Sequence, residues 1–229
     1  MAEHQTALIV GAGAGLSASL ARALAKEGAR VALAARTVQD LDSLRQETGA
    51  ATFACDASRH ADVEKLFVEV EAACGTPEVV IYNASYRTRG PLVELDPAEV
   101  ERSIAVSAFG AFLVAQQAVR RMLPKQHGAI LFTGASASVK GYAQSAPFAM
   151  GKFALRGLAQ SMARELGPQG IHVAHVVIDG GIKSPRRAES TPASLLDPDA
   201  IAQSYLHLIH QPRSTWSWEI ELRPWVEKF

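Results

Sequence analysis

Two cysteines among 229 residues are too few for a disulfide framework or for a four-thiolate zinc site. Cys55 and Cys74 therefore read as small buried hydrophobes. No charge of one sign prevails, because 23 basic and 23 acidic residues cancel. That leaves no overall field to gather nucleic acid or an anionic membrane surface, and neither is an expected partner. An uninterrupted apolar run of membrane-spanning length is missing as well, and the opening MAEHQTALIVGAG has neither a basic leader nor a long apolar core. A cytoplasmic location is the resulting expectation. Internal repeats and low-complexity linkers are also absent. What is present is 48% hydrophobic and 20% charged, the balance of one folded domain over residues 1–229. By size scaling such a chain buries roughly 70% of its extended surface.

Short apolar runs alternate with longer segments of helical period, an α/β pattern in which a parallel sheet is covered on both faces. Strands are expected at 6–10, 30–35, 51–56, 78–83, 128–134, 170–178 and 216–224. Between them lie helical patterns at 16–27, 38–47, 61–73, 97–123, 147–166 and 199–209. Gly28 is expected to end the first helix in a left-handed cap, Asp96 to cap the long fourth one, and Pro124 to stop it. Gly167 and Pro168 are expected to close the fifth. Trp216, Trp218 and Ile220 would share one face of the last strand. Residues 183–198 are the least regular and read either as a lid or as a plain surface loop.

Chemistry concentrates at strand ends. VGAGAGLS, residues 10–17, follows the first strand and opens the first helix. A tight glycine turn there lets a pyrophosphate approach the unpaired amides of a helix N-terminus, with contacts expected at Gly11, Gly13, Ala14, Gly15 and Leu16. The second strand ends in Ala35 and Arg36 in place of the carboxylate that would take the ribose hydroxyls of NAD(H). Arg36 can instead donate to a 2′-phosphate, which favours NADP(H), with NAD(H) the alternative. Asp56 suits either the adenine amino group or a cap on its own turn, with Ala57 adding a backbone contact. Asn83, Ala84 and Ser85 would bring backbone near the nicotinamide ribose.

Taken together, VGAGAGLS, CDA at 55–57, NAS at 83–85 and GKFALRGLAQSMARELGPQGIHV from Gly151 closely resemble the classical short-chain dehydrogenase/reductase superfamily over almost the whole chain. The resemblance implies a single-domain Rossmann fold, a doubly wound, mostly seven-stranded parallel sheet with helices on both faces. It further implies a nicotinamide dinucleotide at the C-terminal strand edge, and a homodimer or homotetramer built on helices 97–123 and 147–166. Ser17 stands where the third glycine is usual, with its hydroxyl within reach of phosphate.

Members of the superfamily move hydride between cofactor and a carbonyl or alcohol, using a YxxxK pair with an upstream Ser and an Asn. The corresponding stretch here is FAMGK: Phe148 takes the tyrosine position and Lys152 the lysine position. Spacing of four keeps both on one helix face, but Phe148 has no proton to give. Lys152 retains the role of binding the nicotinamide ribose. Ala135 replaces the usual Ser, with Ser136 adjacent and Ser138 nearby, and Ser107 replaces the Asn. Ser107 would either join a water relay or bond a carbonyl of its own helix. Tyr142 and Tyr86 are the other phenols near the cleft; bound water or the substrate is the remaining proton source. After the sixth strand, Gly180 takes a family glycine position, Ile182 would meet the carboxamide through its backbone, and Ser184 would approach the pyrophosphate. Asp179 would accept from loop amides. Arg186 and Arg187 are candidates for a phosphate or an acidic substrate, or a solvated pair. His172 and His175, three apart in a strand, fall on opposite faces and do not suggest a metal. Trp216, Trp218 and Trp225 read as core or subunit contacts. Two functions follow: an NADP(H)-dependent oxidoreductase acting on a small carbonyl, alcohol or imine through an altered proton relay, or a catalytically inactive dinucleotide-binding sensor or scaffold.

Overall fold

The apolar runs pair side by side into one parallel sheet of seven strands, in the order β3-β2-β1-β4-β5-β6-β7. The computed structural model describes residues 6–184, 187 and 193–226. The strands are β1 (Thr6–Val10), β2 (Arg30–Ala35), β3 (Ala51–Ala54), β4 (Val79–Tyr82), β5 (Gly128–Thr133), β6 (Ile171–Ile178) and β7 (Glu219–Leu222). The helices are α1 (Leu16–Lys26), α2 (Asp42–Thr48), α3 (His60–Cys74), α4 (Pro97–Ile104), α5 (Gly110–Met122), α6 (Ala146–Leu166) and α7 (Pro198–Ile209).

Period-two alternation explains how uniformly apolar strands feed two cores. Leu8, Val10, Val80, Tyr82, Ile130 and Phe132 face α3, α5 and α6, while Ala7, Ile9, Val79, Ile81, Ala129 and Leu131 face α1 and α7. Each fully buried Leu, Ile or Phe adds roughly 1.5–3 kcal/mol. The chain steps outward from β1 through β2 to β3, then returns to place β4 on the other side of β1. Loops after β1 and β4 therefore diverge and leave a crevice at the C-terminal strand ends, the position that α/β sheets use for ligands.

The long helix expected over 97–123 is interrupted. Asp96 caps it through the Ala98 amide, 2.9 Å away, but residues 105–109 form a π-helical turn between α4 and α5. The Tyr82 phenol donates to the Val106 carbonyl and diverts it from the α ladder. Gly110 follows; a Cβ there would lie 2.6 Å from the Ala57 carbonyl oxygen and from the Tyr82 hydroxyl. Close approach of this turn to the sheet thus fixes both the bulge and the glycine.

Other boundaries move for local reasons. Gly28 (φ +87°) follows α1 in the expected left-handed cap, whereas Gly167 is right-handed and continues into a 3₁₀ turn; Gly170 (φ +82°) makes the left-handed exit. β7 begins only at Glu219, so Trp216 and Trp218 both precede it and do not share a strand face with Ile220. The Trp216 indole instead donates to the Gln211 carbonyl at 3.0 Å and stacks on His172, turning the chain before the strand. Trp225 is exposed. Both cysteines are buried and unpaired, and burial pushes the Cys55 thiol up to about 12. Among the described residues no helix is long and apolar enough to cross a membrane.

Candidate functional site

The crevice holds two adjoining cavities of about 720 and 730 Å³. The first is built on the glycine turn. Gly11 and Ala12 both donate to the Ala34 carbonyl at 2.9 Å, and Gly11 has φ +84°. A side chain at Gly11 would strike the backbone of Ala84, so glycine is needed where the loops after β1 and β4 meet. At Gly13 and Gly15, by contrast, an added Cβ meets nothing within 4 Å. Gly15 opens α1 without a side-chain cap or an acidic residue in the first turn, which leaves unpaired amides and the positive helix end facing the cavity. That open, uncapped cradle fits a dinucleotide pyrophosphate.

Gly11, Gly13, Ala14 and Gly15 line this cavity together with Arg36, Asp56, Ala57, Asn83, Ala84 and Ser85. Residues distant in sequence thus converge because β1, β2, β3 and β4 are neighbours. Asp56 caps its own turn, accepting from the Ser58 amide at 3.0 Å and the Ser58 hydroxyl at 2.7 Å. Burial opposes ionisation of its carboxyl, but these bonds and the nearby Arg36 and Arg59 hold it below its ordinary value. Ser17 corrects an expectation: its buried hydroxyl donates to the Gly11 carbonyl at 3.1 Å and accepts from Asn83 at 2.7 Å. It ties two loops together and does not face a phosphate. Thr37, Asp40 and Val106 also line the cavity and carried no sequence signal beyond their nearness to β2 and α4.

The second cavity contains Leu16, Ser85, Ser136, Tyr142, Phe148, Lys152, Gly180 and Ile182. One turn of α6 carries Phe148 and Lys152, with the Lys152 Nζ 5.8 Å from the ring centre. Lys152 is only 3% exposed and donates to the Thr133 carbonyl at 2.7 Å. Burial lowers its ammonium to about 8. The Arg87 guanidinium also lies against this ring, 4.7 Å from its centre.

Ser107 reaches neither cavity. It is buried, with its hydroxyl accepting from the Tyr86 amide at 3.4 Å in place of bonding a carbonyl of its own helix. A Cβ on Gly151 would lie 2.7 Å from the Ser107 Cβ, so this serine is packed under α6. Ser138 is buried too and accepts from the Ala135 amide, so that of these two serines only Ser136 stands on the cavity wall. Tyr86 donates to Glu99 beneath the Arg102 guanidinium and borders the other cavity; Tyr142 alone among the phenols lines this one. Asp179 pairs with Lys140 at 3.3 Å and Arg223 at 3.2 Å instead of accepting from loop amides. Ile182 bridges to Leu196; of the 183–198 segment expected as a lid or loop, residues 185–186 and 188–192 lie outside the described residues. Arg187 and Ser184 line the cavity, whereas Arg186 lies outside the described residues.

The two histidines do lie on opposite faces of β6. His172 stacks on Trp216 and bonds the Ser217 carbonyl at 2.9 Å. His175 is fully buried, with Nδ1 3.0 Å from Glu219, itself held by both donors of Arg156 at 2.6 and 2.8 Å. Burial holds the His175 imidazole down at about 4, and its Nε2 has no partner among the described residues. Sequence reading missed this group and also Thr133, Gly134, Arg87 and Arg89. The alternating Arg-Thr-Arg directly after β4 was the available signal for the last two.

A family model described as short chain dehydrogenase matches residues 5–194. Short chain aldehyde dehydrogenase 1 of Euphorbia lathyris is 30% identical over 212 residues, covering 87% of this chain and 71% of that protein. A short-chain dehydrogenase from Rhodopseudomonas palustris has a solved structure with TM-score 0.84 and 33% identity, covering 96% of this chain and 99% of the other. A metagenomic short-chain oxidoreductase solved in complex with NADP gives TM-score 0.84 and 30% identity, with 96% and 97% covered. Seven parallel strands, an uncapped glycine turn and a lysine buried one turn from the cavity aromatic agree with that match, and the chain belongs to the short-chain dehydrogenase family of oxidoreductases.

Proposed function

We propose that the protein is an NADP(H)-dependent oxidoreductase that transfers hydride to or from a small carbonyl, alcohol or imine. The observation that carries this reading is Lys152, buried in the wall of the second cavity one turn from Phe148 and cationic at neutral pH. The uncapped turn of α1 receives the pyrophosphate and Arg36 the 2′-phosphate, with NAD(H) the alternative if the Arg36 contact is not made. When bound, the reduced nicotinamide would supply a hydride, one proton with two electrons, to the carbonyl carbon. Lys152 holds the ribose hydroxyls, and Gly180 and Ile182 border the nicotinamide end. Phe148 and the paired Asp179 offer no proton at the reacting oxygen, so water, or the hydroxyl of Ser136 or Tyr142, completes the alcohol.

The test is Phe148→Tyr. With Lys152 one turn away, a phenol at this place is expected to raise NADPH-dependent carbonyl reduction by about 10²-fold. Unchanged turnover with unchanged NADPH affinity would refute the register. The missing proton donor also favours a second reading, a dinucleotide-binding sensor or scaffold, which requires NADPH binding without oxidation by any carbonyl in either protein. The protein further assembles, on this proposal, as a homodimer or homotetramer through α4–α5 and α6, whose Phe109, Phe112, Met150 and Phe153 stand exposed. Its place in the cytoplasm is supported by thiols that are buried and unpaired.

A further inference from the structure

Although the whole chain is neutral, the second cavity is not. Among the described residues Arg87, Arg89, Lys152 and Arg187 line it, and the one carboxylate in its lining, Asp179, is already engaged by Lys140 and Arg223. Elsewhere arginines find carboxylates: Arg22 with Glu47, Arg121 with Glu71, Arg156 with Glu219. Among the described residues no carboxylate pairs with Arg87, Arg89 or Arg187. Burial, and then the neighbouring charges of Arg89 and Arg187, lower the pKa of Arg87. Like charges crowded in one cavity are unfavourable unless an anion joins them.

The cofactor does not account for all of this charge. On the reading above its pyrophosphate lies at the uncapped amides of α1, beside Gly11, Gly13 and Ala14, which line the other cavity. Arg187 approaches Gly181 in the loop after β6, a position on the cofactor side. Arg87 and Arg89 come from the loop after β4, and Arg87 is stacked on Phe148, where the reacting part of a substrate must lie. Stacking steadies the guanidinium while leaving the donors at its edge for the two oxygens of an oxyanion.

Resting on the oxidoreductase reading above, we infer that the substrate is a small carbonyl compound bearing an oxyanion, carboxylate or phosphate, that docks on Arg87 and Arg89 while its carbonyl faces the nicotinamide. Binding to the NADP⁺-loaded protein by calorimetry, and NADPH oxidation, are compared for 4-carboxybenzaldehyde, 4-formylphenyl phosphate and the neutral methyl 4-formylbenzoate. At least one anionic aldehyde is expected to bind about tenfold or more tightly than the ester at low salt, and the advantage to shrink as salt rises. Which anion gains more separates carboxylate from phosphate. In the Arg87→Gln/Arg89→Gln protein the advantage falls to about threefold or less, while NADP⁺ affinity stays within about twofold. Equal binding of anion and ester, binding of neither, or preference retained in the double variant overturns the inference. Loss of NADP⁺ affinity in that variant also overturns it and gives the arginines to the cofactor. Tight anion binding without NADPH oxidation would sink the oxidoreductase reading alone; equal oxidation of ester and anions would sink only the inference.

Discussion

Replacing Lys152 with methionine isolates what burial of its amine costs the cofactor-free fold. The ammonium has one protein acceptor, the Thr133 carbonyl at 2.7 Å, and burial brings it from 10.5 to about 8. An unfolded chain keeps this proton up to the ordinary lysine range, whereas the folded protein releases it near 8. Between those values the unfolded state binds more protons, so stability rises with pH; below 8 both states are charged and the whole penalty is present. A gap of this size corresponds to about 3 kcal/mol. Urea unfolding at pH 7 and pH 10 should therefore show the wild type gaining about 2–3 kcal/mol relative to Lys152→Met, or about 5–10 °C in Tm for a chain of this length. Cys55, Tyr82 and Tyr205, all raised by burial, oppose that trend at high pH, but they titrate in both proteins and cancel in the difference. Parallel pH profiles would refute the reasoning, because they would mean that the amine is solvated. The same variant should bind NADP⁺ more weakly, since the ribose loses its donor.

His175 gives the opposite limb: held near 4 by burial against 6.5 unfolded, it is neutral in both states above 6.5. Stability should fall by about 3 kcal/mol as pH drops from 6.5 to 4, and acid unfolding of His175→Asn should be shallower over that window, with equal slopes counting against it. Arg36→Asp should weaken NADPH binding by about tenfold or more and strengthen NADH binding, measured by fluorescence titration; an unaltered ratio would remove Arg36 from the 2′-phosphate. Phe112→Glu with Phe153→Glu should shift sedimentation to a smaller species, since two carboxylates would enter an apolar contact; an unchanged coefficient would place the interface elsewhere.

Order of strands and helices was legible because each rests on local periodicity: TALIV, RVALAA and the 21 residues of α6 declare themselves within a few turns of chain. VGAGAGLS was equally legible, since a glycine turn between strand and helix acts through its own backbone. Ser107, Ser17 and Asp179 were not. Each has a polar group that several neighbours could satisfy, and only packing assigned them to the Tyr86 amide, the Gly11 carbonyl and the Lys140–Arg223 pair. The π turn at 105–109 likewise depends on a phenol that arrives from β4. Phe148 and Lys152 were placed one turn apart by spacing alone, but the lowered lysine pKa comes from burial under β5, and the guanidinium on the aromatic ring from a loop some 60 residues away in sequence. By itself the sequence determined the strands and helices, the glycine turn between β1 and α1 and the one-turn spacing of Phe148 and Lys152, all written in nearest-neighbour pattern. Tertiary structure alone decided the charge state of Lys152, the partners of the buried hydroxyls and the cationic wall of the second cavity, because desolvation and Coulomb energy depend on distances through space that separation along a chain does not specify.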